Sequence, residues 1–122
     1  MNTTIQTVAT AFANYKGNAY AILQLPVEDD KTFRSFDDVG GTVEWYNYKM
    51  VYEGILGKFN IDKINYILED IYEKLNIAHP ADYRARSLSV SDIVAIKHDN
   101  KILFYFCDMV GFRHLQQHDL PL

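Results

Sequence analysis

Residues 81 to 115 read ADYRARSLSVSDIVAIKHDNKILFYFCDMVGFRHL, and this stretch decides the fold class. Ser91 to Lys97 is a run of β-favouring residues, and Lys101 to Cys107 is a second. Between them stand His98, Asp99 and Asn100, turn residues of which Asp and Asn tolerate positive φ. The two runs are therefore expected to fold back on each other as a hairpin. In the return strand Ile102, Phe104 and Phe106 point to one face, and Leu103, Tyr105 and Cys107 to the other. Both sets are apolar, so this strand is expected to be covered on both faces. Asp108 to Gly111 makes a second turn, and Phe112 to His114 begins a last short strand.

Working outward, Ala19 to Leu25 (AYAILQL) reads as a strand, stopped by Pro26, which has no N–H for a ladder. Lys49 to Gly54 (KMVYEG) alternates as another. Asp62 to Asn76 reads as a helix. Ile64, Ile67, Leu68, Ile71, Tyr72 and Leu75 form a continuous apolar stripe at helical spacing, with Asn60 or Asp62 as its cap. His79-Pro80 then forces an extended step. Ile5, Val8, Ala9 and Phe12 predict an N-terminal helix over residues 4–15. The expected fold is α+β, an antiparallel sheet of about four strands packed against the 62–76 helix. Residues 1–122 form one domain, with a polar tail over 116–122.

Composition narrows the function classes. Twelve basic and sixteen acidic residues give a net charge of −4. Acids outnumber bases up to Tyr83, and bases outnumber acids after it. An acidic body does not suit a protein that binds nucleic acid by neutralising phosphates. The single cysteine, Cys107, excludes an intramolecular disulfide and fits a reducing compartment. No apolar run approaches the roughly 20 residues that span a bilayer, and the N-terminus lacks a secretory pattern. The expectation is a cytoplasmic protein without a membrane segment.

No catalytic signature emerges, and neither an enzyme nor a cofactor is expected. Cys107 sits in an apolar strand, away from the cation or helix N-terminus that activates a thiol. Ser87, Ser89 and Ser91 lack the GxSxG frame of a nucleophile elbow. Hydrogen bonding to local backbone is their expected role. His114 and His118 have an i, i+4 spacing but lie in a strand and a polar tail, so no metal site is expected. Gly40-Gly41 and Gly54/Gly57 lack the context of a phosphate loop.

Two surface features remain as candidates for binding. The segment between the first two strands carries Glu28, Asp29, Asp30, Asp37 and Asp38, with one helical turn expected over Phe33 to Asp38. An aromatic group, Trp45, Tyr46 and Tyr48, follows it. Together they make a candidate protein-contact surface, because aromatics anchor interfaces and acids steer basic partners. Arg84, Arg86, Lys97 and Lys101 make an alternative basic spot, which either grips an anion or balances the acidic helix.

Several strings resemble the YodL-like domain family. They are LEDIY at 68–72, HPADY at 79–83, SLSVSD at 87–92, Cys107-Asp108 with Gly111-Phe112, and upstream AYAILQL and NYKMVYEG. The resemblance covers about residues 20–115 and leaves 1–18 outside. Met109-Val110 departs from the family pattern, where Ser-Phe is more frequent, and Arg84-Ala85-Arg86 lacks the family's usual Gly. The resemblance implies a protein of phages, plasmids or other mobile elements, and it carries over no catalytic residues. It implies an inhibitor of a host defence system that binds a host protein directly, with a CRISPR-Cas effector nuclease as the expected partner. The alternatives are an antagonist of the actin-like cell-shape machinery, as the family's namesake resembles, and a nucleic-acid-binding accessory module.

Overall fold

The structure, a computed structural model, describes residues 17–41, 43, 47–99 and 101–116. The helix expected over residues 4–15 lies outside them. Five strands form one antiparallel sheet: β1 (Ala19–Gln24), β2 (Lys49–Ile55), β3 (Ile93–His98), β4 (Lys101–Cys107) and β5 (Phe112–His114). Their spatial order is β2-β1-β3-β4-β5. The short strand after Gly111 makes the fifth, so the sheet is α+β as expected and one strand wider. Among the described residues, no helix is long and apolar enough to cross a membrane.

The helix α1 (Ile64–Asn76) is preceded by a 3-10 turn at Ile61–Lys63. Asn60 caps that turn, its side chain accepting from the Asp62 N–H at 3.0 Å. Leu68, Ile71 and Leu75 are the buried part of the α1 stripe. They pack with Tyr20, Ile22, Val94, Ile96, Tyr105 and Cys107 on one face of the sheet. The opposite face is Ala19, Ala21, Leu23, Ile93, Ala95 and Phe106, covered by Leu25, Phe36, Val39, Val43 and Tyr48. The connection between β1 and β2 is therefore a covering layer. β4 has apolar partners on both faces, because its alternate residues belong to the two different clusters.

Several boundaries differ from the expected ones for local reasons. β3 starts at Ile93 because Ser91 turns into the left-handed region, at φ 83. β1 and β2 lose register between Ile22 and Leu23, where Tyr52 and Met50 face them and Val51 is left over as a bulge. The turn expected at Phe33–Asp38 lies one step on, with Val39 N–H donating to Ser35 O. Gly54 sits beneath the Tyr20 ring, and a Cβ there would lie 2.5 Å from ring carbons. Glycine is required at that position by contact, independently of backbone angle.

Candidate functional site

The SLSVSD segment and the loop before it converge on one buried point. Asp92 has no exposed surface. Its carboxylate accepts from Ser89 N–H at 2.8 Å, from Gln24 Nε2 at 3.0 Å, and from Arg86 Nη1 at 3.0 and 3.2 Å. Arg86 Nη2 donates to the Leu25 carbonyl at 2.8 Å, and Gln24 Nε2 also reaches Arg86 O at 3.1 Å. The end of β1, the 84–89 loop and the start of β3 are thereby tied together. Burial pushes the Asp92 carboxyl up to about 6, against the lowering effect of Ser89, Arg86 and Gln24.

Ser91, equally buried, ties a fourth segment to the same place. Its Oγ accepts from Phe33 N–H at 2.9 Å, and its carbonyl accepts from Tyr48 OH at 2.6 Å. Phe33 is itself left-handed, at φ 69. Ser91 N–H and Cys107 N–H continue the ladder through Cys107 O and Asp92 O. Ser89 Oγ donates to Ser87 O. At the end of α1 the Asn76 side chain brackets Leu88, accepting from its N–H at 2.7 Å and donating to its carbonyl at 3.1 Å. The Ser89 and Ser91 hydroxyls and the Asn76 amide are engaged in backbone bonding, the role expected from residues that compete for local backbone groups.

The HPADY segment joins β2 in a second polar contact. Tyr52 OH donates to Asp82 Oδ1 at 2.8 Å, and the Tyr52 and Tyr83 rings meet edge to face at 5.0 Å. Tyr83 OH donates to Arg86 O. Desolvation raises both phenols to about 12. At neutral pH both act as hydrogen-bond donors with apolar bodies.

The candidate contact surface is only partly assembled as expected. Glu28, Asp30, Asp37 and Asp38 are exposed, and Asp29 is half-buried. Asp29 fixes its own loop, its Oδ1 accepting from Lys31 N–H at 2.8 Å. Trp45 and Tyr46 lie outside the described residues. Tyr48 is 3% exposed, a core residue bonded to Ser91, so burial withdraws it from any contact surface. Two residues not singled out from the sequence stand beside the acids instead. Val27 is 68% and Phe33 49% exposed, and the Arg86 guanidinium carbon lies 5.0 Å from the Phe33 ring centre. Their signal in the sequence is weak, a lone apolar residue inside a polar segment.

The four bases of the alternative spot do not gather. Arg84 is exposed and donates to Ala81 O, while Arg86 is committed to Asp92 and Leu25. Lys97 is buried, opposite Ala19 and Ile102, roughly 16 Å along the strand from Asp92. Lys101 is exposed at the start of β4. The sheet separates what the sequence groups.

A groove of about 230 Å3 runs between α1 and the β4–β5 turn, with Glu69, Tyr72, Asp108, Met109 and Phe112 among its walls. Met109 and Val110 are 69% and 93% exposed on that turn.

The sequence model of the YodL-like domain matches residues 19–117. This chain belongs to the YodL-like domain family. The match takes in the whole described sheet, α1 and the Asp92 junction, so the shared pattern of the YodL-like domain is the pattern of its scaffold. The HPADY and SLSVSD strings supply Asp82, Tyr83, Ser89, Ser91 and Asp92, all engaged in loop-holding bonds. No curated protein and no solved structure matches this YodL-like domain.

Proposed function

We propose that this YodL-like protein is a phage or mobile-element accessory protein that inhibits a host bacterial defence system by binding one of its proteins, a Cas nuclease being the target class. The observation that carries the reading is the loop over residues 27–38. Phe33 projects half-exposed from a backbone pinned to buried Ser91, with Val27, Glu28, Asp30, Asp37 and Asp38 exposed in the same loop. A pinned aromatic in a loop whose acids outnumber its bases, Lys31 and Arg34, suits a basic protein surface with an apolar recess. Nuclease grooves that hold nucleic acid are basic for the same electrostatic reason. The split of Arg84, Arg86, Lys97 and Lys101 does not favour the nucleic-acid-binding alternative.

The test is binding of the full chain to purified Cas nucleases, with nuclease activity read in parallel. Binding should weaken as salt rises, and weaken further when Glu28, Asp30, Asp37 and Asp38 are reversed to Lys. Absence of binding across the nuclease classes, or indifference to those reversals, refutes the reading. A change in cell width on expression in a rod-shaped bacterium, without nuclease binding, would assign the protein to the cell-shape alternative.

A further inference from the structure

We propose that the groove between α1 and the β4–β5 turn receives a lysine or arginine side chain of a partner protein. Glu69 and Tyr72 stand one turn apart on α1, on the same side of the helix. Phe112 of β5 meets Tyr72 with ring centres 6.3 Å apart and planes at 81°. Two rings at nearly right angles make a corner of π density, the arrangement that attracts an organic cation. Asp108 also lines the groove from the turn, its Oδ1 held by the Phe36 N–H at 3.1 Å and the Met109 N–H at 2.9 Å, and Val90, Cys107, Met109 and Gly111 make up the other walls. No wall of the groove is basic.

These walls discriminate by charge. An anion would face Glu69 and Asp108. A neutral apolar side chain would strip water from the Glu69 carboxylate and return nothing. A basic side chain satisfies both parts of the site. Its aliphatic stem lies along Met109 and Phe112, and its charged head reaches the Glu69 carboxylate and the rings. The groove opens beside Met109 and Val110, which are exposed far more than Tyr72 at 42%. That apolar rim suits the flat contact of a protein surface better than a small free amine. The choice of a protein side chain rests on the protein-binding reading above; the cation site does not.

The test titrates the full chain with capped tripeptides that differ only at the centre: lysine, arginine or norleucine. Tetramethylammonium is a fourth probe. Binding is read from the Met109 methyl and the Tyr72 and Phe112 ring resonances. Saturable shifts with lysine or arginine peptides, absent with norleucine, are expected. Glu69→Gln and Tyr72→Leu should each weaken that binding about three- to thirtyfold. Tyr66→Leu, on an exposed position of the same helix, should leave it unchanged. Equal response to norleucine, no saturable response to any probe, or saturation by tetramethylammonium alone overturns the proposal. If Tyr72→Leu perturbs the fold, Glu69→Gln on the exposed helix surface decides. Peptide binding without inhibition of any nuclease would retain the site and refute the anti-defence reading. Nuclease inhibition without peptide binding would do the reverse.

Discussion

Arg86 lays one guanidinium nitrogen against both oxygens of Asp92, at 3.0 and 3.2 Å, and the other against the Leu25 carbonyl at 2.8 Å. Asp92 is fully buried, while the Arg86 side chain keeps 23% of its surface. The pair joins the 86–92 stretch to the end of β1, with Leu25 61 residues from Arg86 in the chain. Its value lies in what happens when one partner is removed, since an isolated buried charge is costly.

Arg86→Ala should therefore destabilise the protein by about 3–5 kcal/mol, because Asp92 is left buried without its cation. Asp92→Ala should cost less, about 2–3 kcal/mol, because part of the Arg86 head can regain water. Arg86→Lys should not restore the loss, since one ammonium cannot bridge Asp92 and Leu25 as a fork does. Urea unfolding followed by circular dichroism measures all three, and equal stability of Arg86→Lys and the parent would contradict the bridging role.

The raised Asp92 carboxyl sets a pH dependence. With a folded value of about 6 and an ordinary value of 3.8, the folded state binds the proton more tightly. The resulting stability is fully present below 3.8 and is lost as pH rises through about 6. Compared with Asp92→Asn, the parent should gain about 2 kcal/mol on going from pH 7 to pH 4. A difference between the two proteins that stays flat across this window would refute the shift.

Gly54→Ala places a methyl group 2.5 Å from the buried Tyr20 ring. The expected cost is about 1–3 kcal/mol in thermal or urea unfolding. Tyr20→Leu in the same background should recover part of it, because the clash is removed together with the ring. Additive losses in the double variant would show that the contact is not the cause.

Phe33→Gly separates stability from binding. The left-handed backbone at φ 69 is strained for phenylalanine and ordinary for glycine. Loss of the ring contact with Arg86 offsets that relief, so stability should change by less than about 1 kcal/mol. Binding to the nuclease partner should fall at least about tenfold if Phe33 is an anchor. Unchanged affinity would remove Phe33 from the interface.

Cys107 is 3% exposed, and burial pushes its thiol well above the ordinary value. A thiol reagent should therefore modify it only as fast as the protein opens. Rapid labelling of the native chain, without loss of structure, would contradict this placement.

Much of the scaffold was legible in the residues alone. Alternation in Lys101–Cys107 announced a strand with two apolar faces, and the Ile64–Leu75 stripe announced the helix that covers one of them. Periodicity reports such faces because local geometry imposes it. The buried polar junction was not legible in the same way. Asp92 meets Gln24 across 68 residues, and Ser91 meets Phe33 across 58. Nothing local marks those pairs. Tyr48 looked like a surface aromatic, and its burial follows from the 25–48 connection folding over the sheet as a layer. Arg84, Arg86, Lys97 and Lys101 looked like one basic cluster, and strand length holds Lys97 far from Arg86. Tyr72 and Phe112 became two walls of one groove only when β5 was laid beside β4, within reach of α1. Short-range periodicity writes the secondary elements and their apolar faces into the chain. Which polar side chains meet is set by packing between distant segments, where burial decides whether a charge must find a partner.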